Sequence, residues 1–191
     1  MPKDQPYLPP ITATEVVFDG RIWDVVRESF EYGETQLVRE FVAHPGAVAV
    51  LAINDQLEVL LIRQYRHPVR SYLWEIPAGL LDVQGESLEL AARRELLEET
   101  GYQAGLIEHL TTFYTTPGGN SEAITVFLAR DLVHVGHDFE LEGEERDLIV
   151  EWFPLPQALA SVLSAEMRSP SAVVAIMAAA LKLGVSAAKE A

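Results

Sequence analysis

Cysteine is absent from the 191 residues. That removes disulfides, thiolate zinc sites and cysteine nucleophiles, and it suits a reducing compartment, so a cytoplasmic location is the expectation. Cations are scarce: 14 Lys and Arg stand against 29 Asp and Glu, for a net charge of −15. So negative a surface repels nucleic-acid backbones and anionic membranes, and neither is expected as a partner. An anionic substrate would need metal ions or local arginines to approach. Long apolar runs are also missing. The longest, 172–181, is too short to span a bilayer and reads as a buried helix. The opening residues Met-Pro-Lys-Asp-Gln-Pro have no apolar core of the kind a signal peptide carries.

What is present suffices for a packed core, since 49% of the residues are hydrophobic. After a proline-rich arm, 1–10, strand-like runs occupy 15–18, 22–32 and 36–43, punctuated by Gly20 and Gly33, and read as a β-meander or hairpin. Runs 47–53 and 57–65 flank Asn54-Asp55 and read as a second hairpin. A helix is expected over 87–100, with Ser87 as N-cap, Glu89 in the first turn and Gly101 as the stop. Strands are expected at 106–114, 122–129 and 148–153, an acidic loop at 140–147, and helices at 156–164 and 170–183. The five histidines, 44, 67, 109, 134 and 137, lack metal-ligand spacing and read as structural or exposed. Ser121 has no His-Asp set to make it a nucleophile.

The chemistry concentrates in 79–101, GLLDVQGESLELAARRELLEETG. On a helix, Glu95, Glu98 and Glu99 stand at i, i+3 and i+4 and share one face. Like charges so close destabilise a helix unless something cationic sits among them. Arg94 supplies one charge and cannot neutralise three, whereas a divalent cation can. Oxygen-only ligands favour a hard ion such as Mg²⁺ or Mn²⁺, its shell completed by waters and substrate phosphates.

The segment resembles the signature box of the Nudix hydrolases through Gly79, Glu86, Arg94, Glu95, Leu96, Glu98, Glu99 and Gly101. The spacing matches from Glu86 onwards. One extra residue lies between Gly79 and Glu86, and Tyr102 replaces an aliphatic residue. The flanks resemble the ADP-ribose pyrophosphatase branch. Trp74-Glu75-Ile76-Pro77-Ala78-Gly79 is similar to its E-x-P-A-G lead-in and Arg63-Gln64-Tyr65-Arg66 to its R-Q-Y-R segment. Arg39-Glu40 with His44-Pro45-Gly46-Ala47-Val48 is similar to R-E…H-x-G-A-V, and Pro117 follows Gly101 by sixteen residues, as in that branch.

The resemblance implies an α/β protein with the Nudix fold, an α/β/α sandwich around a mixed sheet, carrying an N-terminal antiparallel β-sheet extension. It divides the chain into a β-rich extension, 1–44, expected to mediate dimerisation and to be exchanged between subunits, and a Nudix domain, 45–191. The expected activity is metal-dependent hydrolysis of the pyrophosphate of ADP-ribose to AMP and ribose 5-phosphate by a cytoplasmic homodimer, with Mg²⁺ as cofactor and Mn²⁺ as substitute. Glu95, Glu99 and the carbonyl of Ala78 are the implied metal ligands, joined by Glu98 as ligand or as holder of a metal-bound water. Glu86 and Arg94 brace the loop and orient those ligands. The general base is expected in the acidic loop, at Glu144 or Glu145 ahead of Glu142. For the substrate, Arg66 and Arg39 are expected on phosphate or ribose, with surface ion pairs as the alternative. Glu75 is expected on the terminal ribose, and Glu122 in the same pocket. Gly118 and Gly119 would allow close backbone approach. Trp23 either stacks on adenine or makes a core or dimer contact.

Rival readings are a Nudix enzyme for another sugar nucleotide, NADH or a flavin nucleotide, and an ADP-ribose sensor without activity. Sensors of this type lose box carboxylates, which this chain keeps. A calcium-binding acidic protein would need an EF-hand loop, and none is present.

Overall fold

The computed structural model describes residues 1–136 and 148–188. Two compact units emerge, one made of 1–45 with 114–122 and the other of 46–113 with 123–191.

The first unit is an antiparallel sheet of β1 (Ile11–Phe18), β2 (Asp24–Tyr32) and β3 (Thr35–Ala43), with β2 in the middle. Gly33, at φ 63°, makes the tight turn from β2 to β3, where Tyr32 pairs with Thr35. Arg27 on the central strand lies opposite both Glu15 and Glu40, and its guanidinium bonds Glu40 at 2.7–2.8 Å. This cross-strand ladder sets register more than stability, because all three groups are solvated. Val16, Phe18, Ile22, Tyr32 and Val38 are exposed. Segment 114–122 joins the unit at the end of β3: the amide of Val42 donates to Gly119, and that of Ser121 donates to Val42.

The second unit contains β4 (Ala47–Ala52), β5 (Glu58–Arg66), β6 (Ser71–Glu75), β7 (Ala78–Leu80), β8 (Tyr102–Tyr114, up to Phe113), β9 (Ala123–His134) and β10 (Ile149–Pro154). Its helices are α1 (Leu88–Thr100), α2 (Leu155–Leu163) and α3 (Pro170–Leu183). One sheet runs β7-β4-β9-β8 and is mixed, with β4 parallel to β9 and antiparallel to β7. The other runs β10-β5-β6 and is antiparallel.

Strand β4 explains the layering. Its sequence, AVAVLA, is fully apolar, as a strand covered on both faces must be. Ala47, Ala49 and Leu51 pack with Ala158 and Leu159 of α2 and with Ala172, Ala175 and Ile176 of α3. Val48, Val50 and Ala52 pack on the other side with Ala91, Ala92 and Leu96 of α1. Alternation along one strand therefore separates α1 from α2 and α3, the arrangement of a sandwich. Within the apolar run 172–181, Ala172, Ala175, Ile176, Ala179 and Ala180 form the buried face of α3, whereas Met177 and Leu181 are exposed. Among the described residues no helix is long and apolar enough to cross a membrane.

The second hairpin expected around Asn54-Asp55 does not form. The turn is real: Asn54 Oδ1 accepts from the amides of Gln56 and Glu58, and Leu57 takes φ 58°. Its two flanking strands enter different sheets, however, and among the described residues their strand pairing is limited to an isolated antiparallel bridge between Ile53 and Val59. Both runs are apolar enough to be buried on two faces, so each finds partners elsewhere in the chain.

Candidate active site

Helix α1 carries the acidic box. Ser87 caps it by accepting from the amide of Leu90 at 3.3 Å, and Gly101 ends it in the left-handed region at φ 72°. A Cβ on Gly101 would also press on His134 and Gly136. Ala91, Ala92 and Leu96 are buried beneath the helix, and of its acids Glu99 is buried with them while Glu95 lies against Gly79 of β7.

Arg94 gathers three of them. Its guanidinium forks onto Glu86, with Nε 3.1 Å from Oε1 and Nη2 2.9 Å from Oε2. Its Nη1 reaches Glu95 at 2.6 Å and Glu98 at 3.1 Å. The bond from Arg94 holds the Glu86 carboxyl below the usual glutamate range, and the same bond is the chief cause that raises the arginine. Glu95 moves the other way. Its side chain is 12% exposed, and burial pushes its carboxyl up, an effect that Arg94 only partly offsets.

Glu99 is buried and leaves the arginine cluster. Its Oε2 accepts from the amide of Ala78 at 3.0 Å. The other end of the same peptide unit, the carbonyl of Pro77, accepts from Val50 at 2.8 Å. The peptide preceding Ala78 is thus pinned at both ends, by β4 and by α1. Next to it, Gly79 has a definite reason to be glycine: a Cβ there would lie 2.0 Å from Cδ and 2.1 Å from Oε1 of Glu95. The missing side chain is the space that the carboxylate occupies.

These features suit a hard divalent ion. The donors are all oxygen, one carboxylate sits in a glycine cradle, and its burial disfavours its charge until a cation arrives. Among the described residues no three acid or imidazole groups converge on one point, because Arg94 holds Glu86, Glu95 and Glu98 around itself.

The remaining candidates fall into both units. In the second, Arg66 and Glu75 pair with each other, Nε to Oε1 at 3.0 Å and Nη2 to Oε2 at 2.7 Å, with Glu75 buried and Arg66 half exposed. In the first, Arg39 is exposed on β3, and its Nη1 donates to the carbonyl of Val38. Gly118 and Gly119 belong to that unit too. Neither has a positive φ, and a Cβ on either would enter open space, so internal packing does not demand glycine there. Glu122 accepts from Thr115 Oγ1 at 2.6 Å and pairs with His44 at 3.2 Å. Trp23 precedes β2 and stacks on His44. Glu142, Glu144, Glu145 and His137 lie outside the described residues.

His44 is the residue that the sequence reading undervalued. Its place in the H-x-G-A-V resemblance gives it no role of its own, and the contacts that hold it include positions 23, 121 and 122.

Residues 43–173 match the NUDIX domain. The chain is 38% identical over 167 residues to an ADP-ribose pyrophosphatase of Mycobacterium tuberculosis, covering 87% of this chain and 80% of that one. It is 39% identical over 178 residues to an ADP-ribose pyrophosphatase of Bacillus subtilis, covering 93% and 95%. A solved structure described as an ADP compounds hydrolase superposes with a TM-score of 0.78 over 95% of this chain and 97% of its own, at 24% identity, a likeness of fold.

The raised Glu95 has a consequence for stability. For an acid whose folded-state pKa is raised, the ionised form disfavours the fold. That penalty is absent below the unfolded pKa, where both states keep the proton, and complete above the folded one. Metal-free Glu95→Gln protein is therefore expected to be more stable than the parent at about pH 7, with a margin that vanishes as pH falls below the glutamate range. Urea unfolding of both across that range is the check, and a margin that widens on acidification would contradict it.

Proposed function

The chain belongs to the Nudix family of hydrolases, and from that footing we propose that it cleaves the pyrophosphate bond of ADP-ribose, giving AMP and ribose 5-phosphate, with Mg²⁺ as cofactor and Mn²⁺ able to replace it. The observation that carries the reading is the pairing of an intact acidic box with its glycine cradle: Glu95 sits against Gly79 and Glu99 is locked on the Ala78 amide. Similarity to two ADP-ribose pyrophosphatases over most of the chain supports the choice of substrate.

Glu95, Glu99 and the Ala78 carbonyl would hold the ion, with Glu98 beside them. When bound, it supplies charge neutralisation at phosphate oxygens and a more acidic water. The rest falls to the chain. Arg94 keeps Glu95 and Glu98 in place, and Glu86 keeps Arg94 in place, so the ligands do not have to be ordered afresh at each turnover. In the reaction a water oxygen bonds to one phosphorus while the bridging P–O bond breaks. The departing phosphate oxygen takes the electron pair, and the water's proton passes to a base, assigned to Glu144 or Glu145. Arg66 and Arg39 offer positive charge in a chain of net −15. The fork to Glu75 aims Arg66 rather than silencing it, because a planar guanidinium has five N–H donors. Glu75 would in turn reach a ribose hydroxyl. Trp23, Glu122, Gly118 and Gly119 would serve the nucleoside.

A homodimer is part of the same proposal. Val16, Phe18 and Val38 of the β1–β3 sheet and Ile22 of its first turn are exposed, apolar surface of the kind that a partner covers. Covering by a second copy, with or without exchange of the extension 1–44, would bury it.

Incubating the protein with ADP-ribose and Mg²⁺ should yield AMP faster than other nucleoside diphosphate sugars, NADH or a flavin nucleotide are cleaved. Glu99→Gln should lower the rate by about a hundredfold or more. Of Glu144→Gln and Glu145→Gln, whichever removes the base should lose a comparable factor of about 10²–10⁴. Cleavage of another compound in preference would replace the substrate and keep the chemistry. Binding of ADP-ribose without turnover would make the chain a sensor. For the assembly, light scattering should give twice the chain mass, shifting towards the monomer in Phe18→Ser; a monomeric parent protein would remove the dimer.

A further inference from the structure

We propose that His44 is a positioning residue that presents one face of the Trp23 indole to the planar base of a purine nucleotide, an inference that rests on the ADP-ribose reading and specifies its base recognition. The two rings lie 4.4 Å apart between centroids and 22° from parallel, so the imidazole covers one face of the indole. Such near-parallel contact fixes the tilt of a large ring as well as burying it.

The imidazole itself is held from several sides. Its side chain is 4% exposed, and Nε2 lies 3.2 Å from Oε1 of Glu122. The other oxygen of Glu122 accepts from Thr115 Oγ1 at 2.6 Å, and the amide of Glu122 donates to Asn120 Oδ1 at 2.9 Å. At the main chain, the amide of His44 donates to Ser121 Oγ at 2.9 Å. A rotation of the imidazole would break the contact with Glu122, whose own orientation is set by Thr115. The chain of contacts thus runs from Thr115 through Glu122 and His44 to Trp23.

Held in this way, Trp23 is not a core residue. It remains 37% exposed although its neighbour is buried. Gly20 fits the tight approach to this residue, since a Cβ there would meet the Trp23 carbonyl at 1.9 Å. The Gly20 amide is 3.3 Å from Asp24 Oδ1, which holds the turn that delivers the indole. An aromatic ring presented with one face backed and part of its surface open suits a flat heteroaromatic ligand. A purine fits better than a pyrimidine, because it offers two fused rings to a two-ring platform.

The full-length protein with Mg²⁺ tests this by calorimetric titration with AMP and, separately, with ribose 5-phosphate. In His44→Ala, AMP binding should weaken about tenfold, the loss of a well-made base stack, while ribose 5-phosphate binds within about twofold of the parent. His44→Phe keeps a flat ring under the indole and should recover most of the AMP affinity. In turnover of ADP-ribose, His44→Ala should raise KM and leave kcat nearly unchanged. Unchanged AMP affinity in His44→Ala overturns the proposal. So does a parallel loss of AMP and ribose 5-phosphate, which would mark a merely structural residue, and so does a His44→Phe protein as weak as His44→Ala. The two readings fail separately: AMP binding that depends on His44 without hydrolysis of ADP-ribose leaves the platform and removes the activity, and hydrolysis with AMP binding indifferent to His44 does the reverse.

Discussion

One guanidinium holds together the most heavily charged part of this molecule. Without Arg94, the carboxylates of Glu86, Glu95 and Glu98 would face one another across a few ångströms, with Glu95 largely withdrawn from water. Arg94 forks onto Glu86, whose carboxyl its hydrogen bond holds below the usual glutamate range, and touches the other two with its remaining nitrogen. It does not reach Glu99, which is tied to the Ala78 amide instead. The acids are therefore arranged by two different anchors, one cationic and one in the main chain. That leaves a site ordered without a metal yet short of positive charge, the condition in which a divalent cation gains most by binding.

The anchoring in turn depends on β4. Its apolar alternation lets α1 pack on one face through Leu96 while α2 and α3 close the other. The same strand holds β7 in register, Ala49 opposite Ala78 and Val48 opposite Gly79. The strand that bears the glycine cradle and the helix that bears the carboxylate therefore share one support. A box residue is placed by core packing as much as by its own contacts.

Much of this was legible in the residues. Helix α1 announces itself through Ser87, Gly101 and the spacing of its acids, and α3 runs over the predicted 170–183. The meander at the start follows its glycines. Local signals misled where partners are remote. Asn54-Asp55 is a good turn, but whether its strands pair with each other depends on β6, β7, β9 and β10, and β6 and β7 are too short and too irregular in pattern to be foreseen. An ion pair is the alternative that the sequence offers for Arg66, but its partner stayed hidden, because Glu75 looked like a ligand for substrate. His44 was hidden for a plainer reason: nothing adjacent in sequence hints that Trp23 and Glu122 enclose it.

The proposed hydrolysis requires the cradled carboxylates to form a divalent-cation site. Electron paramagnetic resonance of Mn²⁺ titrated into the parent protein and into Glu95→Gln addresses it without any substrate. Saturable binding by the parent, weakened at least about tenfold in Glu95→Gln, is the expected result. Equal binding by the two proteins would place the metal elsewhere and contradict the account.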